Sequence, residues 1–254
     1  MASRFYCLVA LIGLWATGSA HASDWPAPIQ QMADKGLTIV KRFDAPGGLT
    51  GYAAKAGHTP VTLYLTPDGQ HVVVGTMLDA KGHNLSQDAL DAAITKPEQK
   101  SAWSQLASTE WIADGSSDAP RTVYVFTDPN CPYCHTFYER SRPWVEAGQV
   151  QLRQIMTGIL KPSSPGKAAA LLTADDPSAA FYRHERHYKT GGIQPLDDIP
   201  TQISHQISAN NTLMASLGIR GTPGIVYQQD DGKVQIYQGV PDGDTLARIL
   251  GPKP

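Results

Sequence analysis

Residues Thr122 to His135 read TVYVFTDPNCPYCH, and their order decides how the C-terminal half of the chain is organised. Thr122 to Thr127 is rich in β-branched and aromatic residues, the composition of a strand. Pro129 to Cys131 reads as a loop, and Cys134 to Ala147 as a helix. Cys131 therefore stands where a strand gives way to a helix. A helix N-terminus presents unpaired N–H groups and a partial positive charge, which favour an anion. A thiolate is the attacking species in disulfide exchange, so that position suits a reactive thiol. Cys134 lies three residues on, on the same helix face, close enough to close a disulfide. Pro132 suits the first helical turn, where its missing N–H has no partner to lose. Tyr133 completes the dipeptide between the cysteines.

Downstream, Gln151 to Ile155 reads as a second strand. Lys167 to Leu217 is mostly helical, interrupted at Gly191-Gly192. Ile225 to Tyr227 and Val234 to Tyr237 form strands around Asp230-Asp231-Gly232, and Asp244 to Leu250 is a closing helix. Strand–helix–strand, then helices, then a hairpin and a helix is the order of a thioredoxin-like domain with a helical insertion. A C-x-x-C beside a β-α-β pattern is a strong redox signal, which makes Cys131 and Cys134 the candidate working pair. In that fold the Gly221-Thr222-Pro223 loop faces the cysteines, and the Thr222–Pro223 bond is expected to be cis, a geometry that belongs to proline. Pro223 has no N–H to compete for the thiolate. The backbone of Thr222 is free to pair with an extended substrate strand.

Two further readings concern titratable groups. Some thioredoxin-like proteins carry a buried acid six residues before the first cysteine. Here that residue is Val125, which cannot titrate. Asp128 is then a candidate proton carrier for Cys134, or equally a turn cap. His184 and His187, at helical spacing, read as a solvated face.

Upstream, Pro26 to Lys35 is expected to be a short helix. Strands follow at Leu37–Phe43, Thr50–Lys55, Val61–Leu65 and His71–Thr76, with Ala45-Pro46-Gly47-Gly48 and Pro67-Asp68-Gly69 as turns. The last two strands, flanking Pro-Asp-Gly, make a hairpin. Ser86 to Ile112 turns helical, with Leu90, Ile94, Trp103, Leu106 and Trp111 at helical spacing and Pro97 opening a second helix. The expected organisation is α+β: residues 1–22 a signal peptide, 23–85 a small antiparallel-sheet domain, 86–115 a helical linker, and 116–254 the thioredoxin-like domain.

The signal reading rests on Arg4, the apolar run Cys7–Ala16, and Ala20-His21-Ala22, whose small residues invite cleavage after Ala22. That run is too short for a bilayer, which needs about 20 apolar residues. Of the three cysteines, Cys7 would leave with the signal, so the mature chain keeps Cys131 and Cys134 alone. A bridge closing so small a ring removes little chain entropy, which favours chemistry over stapling. Against 23 acidic residues stand 21 basic ones, a formal net charge of −2, and no basic stretch points to nucleic acid or anionic lipid.

Cys131-Pro132-Tyr133-Cys134-His135 also matches C-x-x-C-H, the attachment signature of c-type haem. Its place after a strand and the stiff Pro132 argue against that. Structural zinc wants four ligands, and no second cysteine pair exists. No cofactor or metal is expected beyond the redox-active pair.

Several segments carry a resemblance. FDAPGGLTGY (43–52), YLTPDGQH (64–71), VYVFTDPNCPYC (123–134), RPWVEAGQVQLR (142–153) and LKPSSP (160–165) resemble the DsbC/DsbG family of periplasmic disulfide isomerases across essentially the whole mature chain. Pro132-Tyr133 is similar to the DsbG branch, where the DsbC branch usually has Gly-Tyr. The resemblance implies a homodimer joined through cystatin-like N-terminal domains, with thioredoxin-like domains facing a shared cleft. It further implies periplasmic location, reduction by a membrane protein of the DsbD type, and activity on oxidised or misfolded proteins. Those activities include reduction of cysteine sulfenic acids and some isomerase and chaperone-like behaviour. Carried over, Cys131 attacks, Cys134 resolves, and Thr222 with Pro223 forms the facing loop. Asn130, His135 and Gly221 depart from the pattern; a protonated His135 could further stabilise a thiolate. A disulfide-donating oxidase and a chaperone-type binder with incidental thiols are the competing functions, and the N-terminal domain argues against the oxidase.

Overall fold

A computed structural model describes residues 25–254. The expected signal peptide, with Cys7, lies outside these residues. The chain divides into two compact units, the first ending at Leu90 and the second running from Asp91 to Pro254.

In the first unit, helix α1 (Ala27–Asp34) precedes strands β1 (Leu37–Asp44), β2 (Thr50–Ala56), β3 (Thr59–Leu65) and β4 (Val72–Val74), and helix α2 (Gln87–Leu90) ends it. The strands pair antiparallel in chain order. Ile29 of α1 packs on Tyr52, Ala54, Leu63 and Leu65 of the sheet. The β3–β4 hairpin turns at Pro67-Asp68-Gly69 as expected: Asp68 accepts from the Gln70 N–H at 3.0 Å, and Gly69 takes φ +70°. Gly51 is required opposite Phe43, because a Cβ there would lie 2.3 Å from the Phe43 ring.

The second unit opens with a π-helical turn (Asp91–Thr95) and helix α3 (Lys96–Ser108). Then come β5 (Ile112–Asp114), β6 (Arg121–Thr127), α4 (Pro132–Glu146), β7 (Val150–Met156), α5 (Ser164–Leu172) and α6 (Pro177–Arg186). A 3₁₀ turn (Tyr188–Thr190), α7 (Thr201–Ser216), β8 (Gly224–Gln228), β9 (Val234–Gln238) and α8 (Gly243–Leu250) complete it. The sheet order is β5-β7-β6-β8-β9, with β6 parallel to β7 and the other pairs antiparallel.

Central β6 is covered on both faces, which is why Val123–Phe126 is a run of apolar and aromatic residues with no alternation. Val123 and Val125 point to a core shared with Phe137 and Trp144 of α4 and Leu246 and Ile249 of α8. Tyr124 and Phe126 point the other way, to Leu106 of α3 and Met214 of α7. The insertion has its own core, where Tyr138 of α4 meets Ala168, Leu171, Phe181 and Ile207.

Helix was expected through Ile112, but α3 stops at Ser108 and Thr109 is extended at ψ 156°. Ile112–Asp114 instead pairs antiparallel with β7, adding an edge strand to the sheet. Helix α4 begins at Pro132, which stands in its first turn as expected.

Candidate active site

Cys131 is the N-cap of α4. Its backbone is extended (φ −83°, ψ 113°), and its sulfur accepts the Cys134 N–H at 3.2 Å. Opposite, the Cys131 sulfur lies 3.3 Å from the Thr222 carbonyl oxygen. The Thr222–Pro223 bond is cis, as expected. The Pro223 carbonyl accepts the Gly239 N–H at 2.9 Å, which ties this loop to the end of β9. Pro132 occupies the first turn of α4, and Tyr133 is 65% exposed beside the cysteines. The two thiols are buried and unlinked.

Their acidities are driven apart. The hydrogen bond from the Cys134 thiol, aided by the N–H groups of Cys134 and Tyr133, holds the Cys131 thiol down to about 6, although burial opposes it. Burial pushes the Cys134 thiol well above the usual range, and its bond to Cys131 and the charge there add to the effect. At neutral pH, Cys131 is a thiolate and Cys134 keeps its proton.

The loop before Cys131 is braced on every side. Asp128 is 1% exposed. Its Oδ1 accepts from the Asn130 N–H at 2.9 Å and the Ser164 hydroxyl at 2.8 Å. Its Oδ2 accepts from the N–H groups of Ile159 at 2.8 Å and Leu160 at 3.0 Å. Of the two readings of Asp128, the geometry favours the turn cap, because its acceptor sites are already occupied. Asn130 donates from Nδ2 to Ser164 at 2.9 Å.

The insertion holds the same loop through its carbonyls. His184 Nε2 sits 2.9 Å from the Pro129 oxygen, and the Tyr188 hydroxyl donates to the Asn130 oxygen at 3.0 Å. His184 is therefore not on a solvated face. It is 2% exposed, and the reason is that α6 turns it inward against this loop. His187 is exposed, as expected.

His135, one turn into α4, is buried as well. Its Nδ1 meets Glu185 Oε2 at 2.7 Å, and its ring stacks on Tyr188 at 4.4 Å between centroids. Burial pushes the Glu185 carboxyl up to about 7, against the opposing pull of His135. Sequence reading missed Glu185, Tyr188 and Ser164. Their partners lie 50, 58 and 36 positions away, so no local spacing announces them. Among the described residues, no group of three or more His, Cys, Asp or Glu could hold a metal ion.

A family model described as a thioredoxin-like domain matches residues 113–252. The thiol:disulfide interchange protein DsbG of Pseudomonas aeruginosa is 47% identical, covering 91% of this chain and 91% of its own. DsbG of Escherichia coli is 42% identical, covering 92% of this chain and 94% of its own. DsbC of Salmonella typhimurium is 28% identical over 94% of this chain and 92% of its own. Among solved structures, the catalytic domain of Proteus mirabilis ScsC shares the fold, with a TM-score of 0.51 at 23% identity, covering 61% of this chain and 96% of that one. Identity of 42–47% along nine-tenths of both chains is decisive where 28% is not: the chain is an enzyme of thiol–disulfide exchange and belongs to the DsbG family.

Proposed function

We propose that the chain is a periplasmic protein disulfide reductase and isomerase that works through Cys131 and Cys134, and that it also reduces cysteine sulfenic acids. The observation that carries this reading is the split between a low-pKa thiol at the helix cap and a protonated, buried one behind it.

The Cys131 thiolate attacks one sulfur of a substrate disulfide. A mixed disulfide forms, the substrate S–S bond breaks, and the departing thiolate takes a proton from water. Cys134 then gives up its proton and attacks the Cys131 sulfur. This closes the Cys131–Cys134 bond and releases the second substrate thiol. The substrate gains two electrons and the enzyme loses two. In isomerisation, another substrate thiol displaces Cys131 instead, with no net electron transfer. With a sulfenic acid, the first attack expels hydroxide, which leaves as water after protonation. The pair stores the electrons itself, so the reading needs no cofactor.

A carbonyl of Thr222 facing the nucleophile suits an extended substrate segment, which pairs with backbone as an added strand. The rest of the reading follows the family: export through residues 1–22, a homodimer joined through a cystatin-like domain at 23–85, a linker at 86–115, and resetting by a membrane reductant of the DsbD type. Among the described residues no helix is long and apolar enough to cross a membrane.

The test is thiol trapping in intact cells, scoring Cys131 and Cys134 directly. A mostly reduced pair is expected, since a reductase or isomerase must be supplied with electrons. A mostly oxidised pair would move the assignment to a disulfide-donating oxidase.

A further inference from the structure

His135 and Glu185 have no place in the exchange steps, yet both are buried. Glu185 is 3% exposed, and its carboxylate meets the His135 Nδ1 at 2.7 Å. The other ring nitrogen, Nε2, is buried without a hydrogen bond, with the exposed Glu139 carboxylate 3.4 Å away. A buried imidazole against a buried carboxylate is a costly arrangement unless it shares a proton.

The pair is also joined to the nucleophile by two routes. Along α4, the His135 N–H donates to the Cys131 carbonyl at 3.2 Å. Across the insertion, the His135 ring lies flat on Tyr188 (interplanar angle 12°), whose hydroxyl holds the carbonyl of Asn130, the residue before Cys131. Other charged groups face Glu185 from β5 and α4, where Asp114 and Arg142 form their own pair at 2.8 Å. On α6, His184 is kept neutral, chiefly by burial.

We propose that His135 and Glu185 form a proton-holding dyad that positions and electrostatically tunes the Cys131 thiolate, so that the redox state of the pair and the charge of the dyad are coupled. The proposal rests on the exchange reading of Cys131 for its purpose. Both residues are positioning residues, since neither touches the sulfur. A thiolate at Cys131 favours a proton on the dyad, and closing the disulfide removes that charge. Linkage makes the effect reciprocal: a protonated dyad favours the thiolate.

The test follows the His135 imidazole by NMR in the full chain, with pH, in the reduced and the disulfide forms. The expected result is a proton affinity roughly threefold or more higher in the reduced form, because a negative charge nearby favours the imidazolium. Glu185→Gln keeps the volume and should lower that affinity at least about tenfold, because the imidazolium loses its buried counter-ion and keeps only the exposed Glu139 carboxylate at 3.4 Å. The thiolate of Cys131 is read independently by absorbance near the thiolate band. There, His135→Asn should lower the thiolate fraction at pH 6 about twofold, the reciprocal of a threefold coupling at a midpoint of about 6, and His135→Arg, planar and permanently charged, should restore it.

Identical imidazole titrations in the two redox states, or a Cys131 midpoint unmoved by His135→Asn, would overturn the dyad even in a protein that exchanges disulfides normally. Coupled titrations in a wild-type protein that exchanges no disulfides would instead sink the exchange reading and leave the dyad standing.

Discussion

His184 ties the insertion to the loop before the nucleophile: its Nε2 bonds the Pro129 carbonyl at 2.9 Å while its Nδ1 accepts the Ile193 N–H at 3.0 Å. Those two bonds specify the neutral tautomer with the proton on Nε2. Burial reinforces it, pushing the imidazole's pKa down to about 4. The ring acts as a strut between α6 and the residues that aim Cys131.

Gly192 is the residue that makes room for that strut. Its φ is +63°, and a Cβ there would meet His184 Nδ1 at 2.3 Å. Gly192→Ala is expected to destabilise the protein by about 2 kcal/mol, combining a left-handed backbone with a displaced buried ring. Urea unfolding checks this, and an unchanged midpoint would mean that the strut carries no energy.

Asp128 offers a sharper case. Asp128→Ala leaves the N–H groups of Asn130, Ile159 and Leu160 and the Ser164 hydroxyl without their acceptor. Buried donors left unsatisfied cost roughly 1–3 kcal/mol each where water cannot replace the partner. A loss of about 3 kcal/mol or more is expected by denaturant unfolding. If Asp128 were instead a proton carrier, the variant would keep its stability and lose only the resolving step.

The thiol pair makes opposite demands on its two partners. The first cause of the low Cys131 pKa is the hydrogen bond from Cys134. Cys134→Ala should therefore raise the Cys131 midpoint above about 6, while Cys134→Ser, which keeps a donor, should hold it closer to the native value. Cys134→Ser should also accumulate mixed disulfides with substrates, because nothing resolves them. Alkylation rate against pH reads the first effect and mass spectrometry under non-reducing conditions the second; equal midpoints in the two variants would refute the assigned cause.

Acidity differences of this kind must appear in stability. An ordinary thiol titrates near 9.0 and the folded Cys131 at about 6. Between those values the unfolded chain holds a proton that the folded one has released, so the stability of the reduced form rises with pH there. It is lost as the pH falls through about 6. The disulfide form, with no Cys131 thiol to titrate, should lack that slope. Parallel pH profiles of unfolding free energy for the two redox forms would contradict the low pKa.

The sequence spoke most clearly where periodicity and chemistry coincide. Strand β6, the cap at Cys131, the Pro67-Asp68-Gly69 hairpin and the closing helix are all local patterns. Strand β5 was illegible because Ile112–Asp114 is only three residues long, and pairing with β7 makes it a strand. Trp111 reinforced the wrong reading by standing at helical spacing from Trp103. In the fold it lies past the helix end, covered by the Arg153 guanidinium at 4.2 Å. His184 and Glu185 were opaque for a related reason: a helix rich in charged residues looks solvated until the chain brings another element over it.

The sulfur of Cys131 occupies the place that Ser, Thr, Asp or Asn usually fills at a helix start. One atom thus serves as nucleophile and as fastener of α4. Oxidation removes an anionic cap, and reduction restores it. A charged sulfur holds the first turn of α4 more tightly than a neutral disulfide sulfur can, so the strength of this fastening depends on the state of the bond it makes.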